Sequence, residues 1–124
     1  MTRPLASLLL LPLLLLAAPA QAAEAEACLV NRLPVPATAS FHGVSSQEGS
    51  VPLGRLLEVA AGRSGCARLP TLRDGRPVGR LEMSVFAPRP QGWNGLACST
   101  GLRPGGTVTV TLEGSPMQPR CRFG

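Results

Sequence analysis

A chain of 124 residues with 13 Pro, 14 Gly and 3% aromatic side chains has room for one small domain and one core, not two. Its twelve cations are all arginine, set against seven acids for a net charge of +5. They are dispersed without a run, and Phe41, Phe86, Trp93 and Phe123 are the whole aromatic set, which argues against a stacking nucleic-acid platform.

Met1 to Ala22 reads as a cleavable signal peptide: an early positive charge at Arg3, an apolar run centred on Leu8 to Leu16, and the small-residue exit Ala20-Gln21-Ala22. The run is too short and too interrupted by Pro12 for a membrane anchor, which needs about 20 apolar residues. Cleavage after Ala22 leaves a single domain, 23–124, with eleven arginines against seven acids. Periplasmic or secreted localisation in a Gram-negative type of bacterium follows. The absence of Lys, Ile and Tyr beside abundant Arg, Ala, Gly, Pro and Leu fits the codon usage of a GC-rich genome.

Ala23 to Ala27 is expected to be a frayed start, with a first strand entered at Cys28 to Asn31. Leu33-Pro34-Val35-Pro36 must extend or turn, because proline fixes its own φ and biases the residue before it. Ala37 to His42 alternates as a strand, and Gly43 to Ser50 is a loop of turn formers.

Val51 to Ala61 can be written two ways. Leu53, Leu56, Leu57 and Ala60 fall at helical spacing, with Ser50 as N-cap and Gly62 as stop, but Gly54 weakens the first turns. The favoured reading is a strand over Arg55 to Val59, then a tight turn into a strand over Cys66 to Leu69. Arg73-Asp74-Gly75-Arg76 is a turn, and Arg80 to Phe86 alternates with Leu81, Met83 and Val85 on one face.

Ala87 to Gly101, with Pro88, Pro90, Gly92, Gly95 and Gly101, is expected to be an irregular connection tethered by Trp93 and Cys98. After the turn Arg103-Pro104-Gly105-Gly106, Thr107 to Glu113 is the clearest strand, with Val108, Val110 and Leu112 inward. Arg120 to Phe123 closes the chain as a short strand. Six or seven strands with at most one short helix predict a mainly β fold, a small antiparallel β-sandwich or open barrel.

Cys28, Cys66, Cys98 and Cys121 are an even set in a short exported chain and predict two disulfides. Their spacings of 38, 32 and 23 lack the paired Cys-x-x-Cys of a metal or redox site. Of the three connectivities, Cys28 with Cys66 and Cys98 with Cys121 is the expectation, because sequential pairing staples the two halves of the chain separately.

No catalytic, cofactor or metal constellation stands out. The only imidazole, His42, has Ser45 and Ser46 nearby and Glu48 or Asp74 as orienters, without the Gly-x-Ser-x-Gly elbow that would present a nucleophile. Among Glu48, Glu58, Asp74, Glu82 and Glu113 no carboxylate pair is evident, one His cannot make a blue-copper site, and no Gly-rich phosphate loop precedes a helix. Trp93, in the loop sequence RPQGWNG, either closes an end of a core poor in aromatics or anchors a partner.

Cys28 with the turn Asn31-Arg32, the Ala60-Ala61-Gly62 turn leading to Cys66, the turn and strand from Leu102 to Leu112, and the terminal Cys121-Arg122-Phe123 together resemble small exported bacterial Cys-containing β-domain proteins of unknown function. That resemblance implies the fold and carries over no catalytic or binding residue.

The functional expectation is a non-enzymatic exported binding or structural module without cofactor. Its partner would be an envelope or extracellular protein met by loops at one end of the sandwich. Two alternatives are a secreted inhibitor of an envelope hydrolase presenting Ala87 to Ala97, and an arginine-based binder of anionic surfaces without a stable membrane anchor.

Overall fold

The computed structural model describes residues 24–45, 49–70, 72–73, 76–77 and 79–124. The expected leader, Ser46, Glu48 and Asp74 lie outside the described residues. The strands are β1 (Ala25–Asn31), β2 (Ala37–Ser45), β3 (Gly49–Val59), β4 (Ser64–Leu69), β5 (Leu72–Arg73), β6 (Arg76–Pro77), β7 (Arg80–Pro88), β8 (Asn94–Leu102), β9 (Thr107–Gly114) and β10 (Pro119–Phe123). Sheet I has the order β10-β9-β1-β4 and sheet II the order β3-β2-β7-β8, with β5 and β6 as a separate two-residue ribbon.

The fold is a β-sandwich, as the turn spacing predicts, with no helix among the described residues. Every pair is antiparallel except β1 with β9, which run parallel with Ala27 beside Val108 and Leu29 beside Val110. A parallel pair cannot be joined by a hairpin, so the chain completes all of sheet II between these two central strands. The inner faces meet in one core of Leu29, Leu69, Val110 and Leu112 from sheet I against Phe41, Leu81, Met83 and Val85 from sheet II. Burying such side chains stabilises by roughly 1.5–3 kcal/mol each.

Three stretches depart from the sequence reading. Ala23 to Ala27 is not frayed throughout: β1 begins at Ala25, and Ala25 and Ala27 are fully buried while Glu26 faces out. The period of two is present there, but alanine's low strand propensity hides it. Gly43 to Ser50 is mostly strand rather than loop, since β2 runs on to Ser45 and β3 starts at Gly49.

Ala87 to Gly101 is not an irregular connection, because Asn94–Leu102 forms the edge strand β8 on β7. Its glycines and small residues are tolerated because one side of an edge strand carries no ladder. Only Arg89 to Trp93 forms the turn, closed by Arg89 N–H to the Trp93 carbonyl at 2.8 Å and Gly92 N–H to the Arg89 carbonyl at 2.9 Å.

The ambiguous segment is strand throughout β3. Gly54 has φ +74, which a right-handed helix does not accept, and it sits in a bulge where the register passes from Leu56 opposite Ser40 to Pro52 opposite His42. Pro52 and the bulge both suit an edge strand.

Both expected disulfides form. Cys28–Cys66 joins directly opposed residues of β1 and β4 within sheet I. Cys98–Cys121 joins edge strands of different sheets, with a Cα–Cα distance of 6.4 Å. A bulge makes the second bridge possible: Phe86 pairs with Leu96 and Val85 with Cys98, so the extra residue Ala97 shifts the alternation and sets Cys98 beside the inward Val85. The pairing therefore closes the sandwich along one edge rather than stapling two halves of the chain.

Candidate functional site

Four connections gather at one end of the sandwich. In sheet II, the start of β2 lies beside the end of β3 (Ala37 opposite Val59) and near the end of β7, which turns into β8 (Pro88 opposite Asn94). In sheet I, the end of β1 lies beside the start of β4 and the end of β9, which turns into β10 (Gly114 opposite Pro119). Residues 32–36 and 60–63 cross between the sheets there, and residues 89–93 and 115–118 are the hairpin turns beside them.

Asn31 holds this end together. Its side chain is 1% exposed, and its amide group donates to the carbonyls of Val35 (2.8 Å), Val59 (3.2 Å) and Ala60 (3.3 Å). Its side-chain oxygen accepts from Leu33 N–H at 3.0 Å, and its backbone N–H donates to the Arg63 carbonyl at 2.8 Å. Burial of a carboxamide is tolerable only when its polar atoms are paired, and here they are. The sequence places Asn31 at the end of the first strand, as found, but no spacing signal marks its bonding role.

The four connections carry Arg32, Arg63 and Arg89 and no acid. They also carry two exposed apolar side chains, Trp93 at 57% and Met117 at 73%. The Arg89 guanidinium lies 6.0 Å from the Trp93 ring centroid and donates to the Leu96 carbonyl at 3.1 Å. That stack fixes the indole at the tip of the β7–β8 turn. Trp93 is thus an exposed side chain at the open end, outside the buried core cluster. On the sheet II side of this end, a hollow of about 480 Å³ is lined by Thr38, Glu58 and Asn94 with the rings of Pro36 and Pro88.

Other described arginines are spread over several strands: Arg55 is on β3, Arg68 on β4, Arg80 on β7, and Arg120 and Arg122 on β10. His42 is on β2, away from this end, opposite Glu82 of β7. Glu113 is opposite Arg120, and Glu26 lies 3.7 Å from Arg68, so the register brings neither to a second carboxylate. The Ala87 to Ala97 stretch is a strand end, a five-residue turn and the start of a second strand. One grouping escaped the spacing argument altogether: Glu26, Cys28 and Cys66 lie together on sheet I.

No family model matches the chain, and no curated protein matches it. Solved structures do share its fold. A non-hemolytic pneumolysin from Streptococcus pneumoniae aligns over 83% of this chain with TM-score 0.53 and 11% identity. Listeriolysin O aligns over 83% with TM-score 0.54 and 7% identity. The chain spans about a quarter of the length of these proteins, 24% and 22% respectively. The membrane-binding domain of pneumolysin, solved by itself, aligns over 82% of this chain and 96% of its own length, with TM-score 0.52 and 11% identity. The likeness is one of fold. With both disulfides formed and no free cysteine, the chain has the pattern of a protein folded in an oxidising compartment.

Proposed function

We propose that the chain is an exported, periplasmic or secreted, non-enzymatic module that docks reversibly on anionic lipid surfaces by the end bearing Trp93 and Met117. The observation that carries the reading is the composition of the four connections at that end: two exposed apolar tips and three arginines without an acid among them, the nearby acids Glu58 and Glu113 lying on the adjoining strands, and the crossings tied down by Asn31. An indole suits the boundary between headgroups and acyl chains, with its ring in the apolar layer and its N–H in the polar one. Each cation near an anionic leaflet contributes roughly 1 kcal/mol, so three would give weak, salt-sensitive binding without an anchor. The fold shared with a domain described as membrane-binding supports the same reading.

Co-sedimentation with vesicles tests it. The disulfide-bonded chain should pellet with phosphatidylglycerol-containing vesicles at low salt, release as salt rises, and ignore pure phosphatidylcholine. Trp93→Ala with Met117→Ser should abolish pelleting while leaving the fold intact. Equal binding by that double variant, or none by the parent chain at low salt, overturns the proposal.

A further inference from the structure

The outer face of sheet I carries a grouping that lipid docking does not use. Register puts Cys28 of β1 directly opposite Cys66 of β4, with Cα atoms 4.0 Å apart, and Glu26 opposite Arg68 two residues along. A Glu26 carboxylate oxygen and the two sulfurs lie within 4.8 Å of one another. Among the described residues no other three His, Cys, Asp or Glu side chains come this close. Cys66 is exposed, whereas Cys98 and Cys121 are partly buried against the core.

We propose that Cys28–Cys66 is the readily reduced bond of the two, and that the dithiol it yields joins Glu26 to bind a thiophilic divalent cation such as Zn²⁺. A thiolate of an external dithiol attacks the exposed Cys66 sulfur, and the Cys28 thiolate leaves. The second thiol of the reductant then closes on its own sulfur in the mixed disulfide and releases the Cys66 thiolate. Two electrons pass to the protein, the reductant becomes a disulfide, and its two protons go to the cysteines or, when a cation binds, to solvent.

The released sulfurs stay opposite each other because β1 is held on both sides, by six register pairs with β4 and six with β9. Two thiolates and a carboxylate, with water as fourth ligand, make a donor set suited to tetrahedral Zn²⁺. Arg68 contacts Glu26 only at 3.7 Å between exposed groups, so the carboxylate is free to turn to the ion. A bound cation would re-close the 38-residue loop that the covalent bond had closed. The second disulfide has no third ligand group of this kind among the described residues.

Graded reduction of the disulfide-bonded chain with dithiothreitol, alkylation and mass mapping read the first half. Cys28 and Cys66 should alkylate at a lower dithiol concentration than Cys98 and Cys121, with β circular dichroism retained in the presence of Zn²⁺. Co²⁺ then reads the second half, through thiolate-to-cobalt absorption saturating at one equivalent. The oxidised chain and the Cys28→Ser, Cys66→Ser variant should show none, and Glu26→Gln should weaken binding about tenfold or more. The inference is overturned if all four cysteines alkylate together, if the partly reduced chain unfolds despite Zn²⁺, or if Glu26→Gln binds Co²⁺ as tightly as the parent.

Discussion

Asn31 donates to the Val35 carbonyl at 2.8 Å, so a side chain at the end of β1 shapes the very connection that leads the chain into sheet II. The same amide reaches Val59 and Ala60 on the other crossing. Replacing Asn31 by Leu keeps the branched shape with bulkier ends but strands the Leu33 N–H and the carbonyls it served. The expected loss is about 2–4 kcal/mol, from several buried polar groups losing partners at once. Urea unfolding should show it as a lower midpoint, and a change below about 0.5 kcal/mol would deny Asn31 this role.

Gly114 ends β9 with φ +97, and a Cβ placed there would lie 2.6 Å from the Gln118 carbonyl oxygen. Both the backbone angle and the close approach require glycine, and the obstructing atom is backbone, which cannot swing aside. Gly114→Ala should therefore cost about 1–3 kcal/mol and loosen the pairing of β10 on β9. Hydrogen exchange at Arg122, on β10, is the local readout; unaltered protection there would contradict the argument.

Much of this architecture was legible in the chain, for identifiable reasons. Thr107 to Leu112 alternates β-branched and apolar residues, so its strand and its inward face are evident. The even count of cysteines in a short chain announces two disulfides, whereas their connectivity rested on the preference for sequential pairing among three possibilities. The strand β8 was hidden because Gly95, Ala97 and Gly101 have low strand propensity, and an edge position with a bulge tolerates them. The loop end was hidden for a different reason. Arg32, Arg63 and Arg89 lie about thirty residues apart, and only the crossing of residues 32–36 and 60–63 between sheets brings them to one end. The Glu26, Cys28 and Cys66 grouping likewise depends on cross-strand register, which spacing does not reveal.

The two disulfides close loops of 38 and 23 residues, and chain entropy alone assigns each about 3–4 kcal/mol. Their structural consequences differ. Without Cys28–Cys66, β1 and β4 remain paired in one ladder; without Cys98–Cys121, the only covalent tie between β8 and β10 is lost. The Cys98→Ala, Cys121→Ala variant should accordingly gain exchange at the β10 amides and in the partly buried Ala97 region before global unfolding, whereas the Cys28→Ala, Cys66→Ala variant should lose stability without such local opening. Native-state hydrogen exchange separates the two, and identical exchange patterns would remove the distinction.

Trp93 is the only tryptophan, so its fluorescence reports one place in the fold. Arg89 holds the indole from above and anchors itself on the Leu96 carbonyl, while a side chain added at Gly95 would run into both Arg89 and Trp93. The groups that must move are flexible side chains, so Gly95→Val should cost less than the backbone clash at Gly114 while displacing the indole. Arg89→Ala should cost about 0.5–1 kcal/mol, the range of an exposed cation–π contact, and free the ring to reorient. Both variants should lower the fluorescence anisotropy of Trp93 with the β circular dichroism unchanged. Gly95→Val should also weaken the salt-sensitive pelleting with anionic vesicles, because an indole that is not held in place must be ordered on docking, and Arg89→Ala should weaken it further by removing one of the three cations. Unchanged anisotropy in Arg89→Ala would mean that the stack does not position the ring.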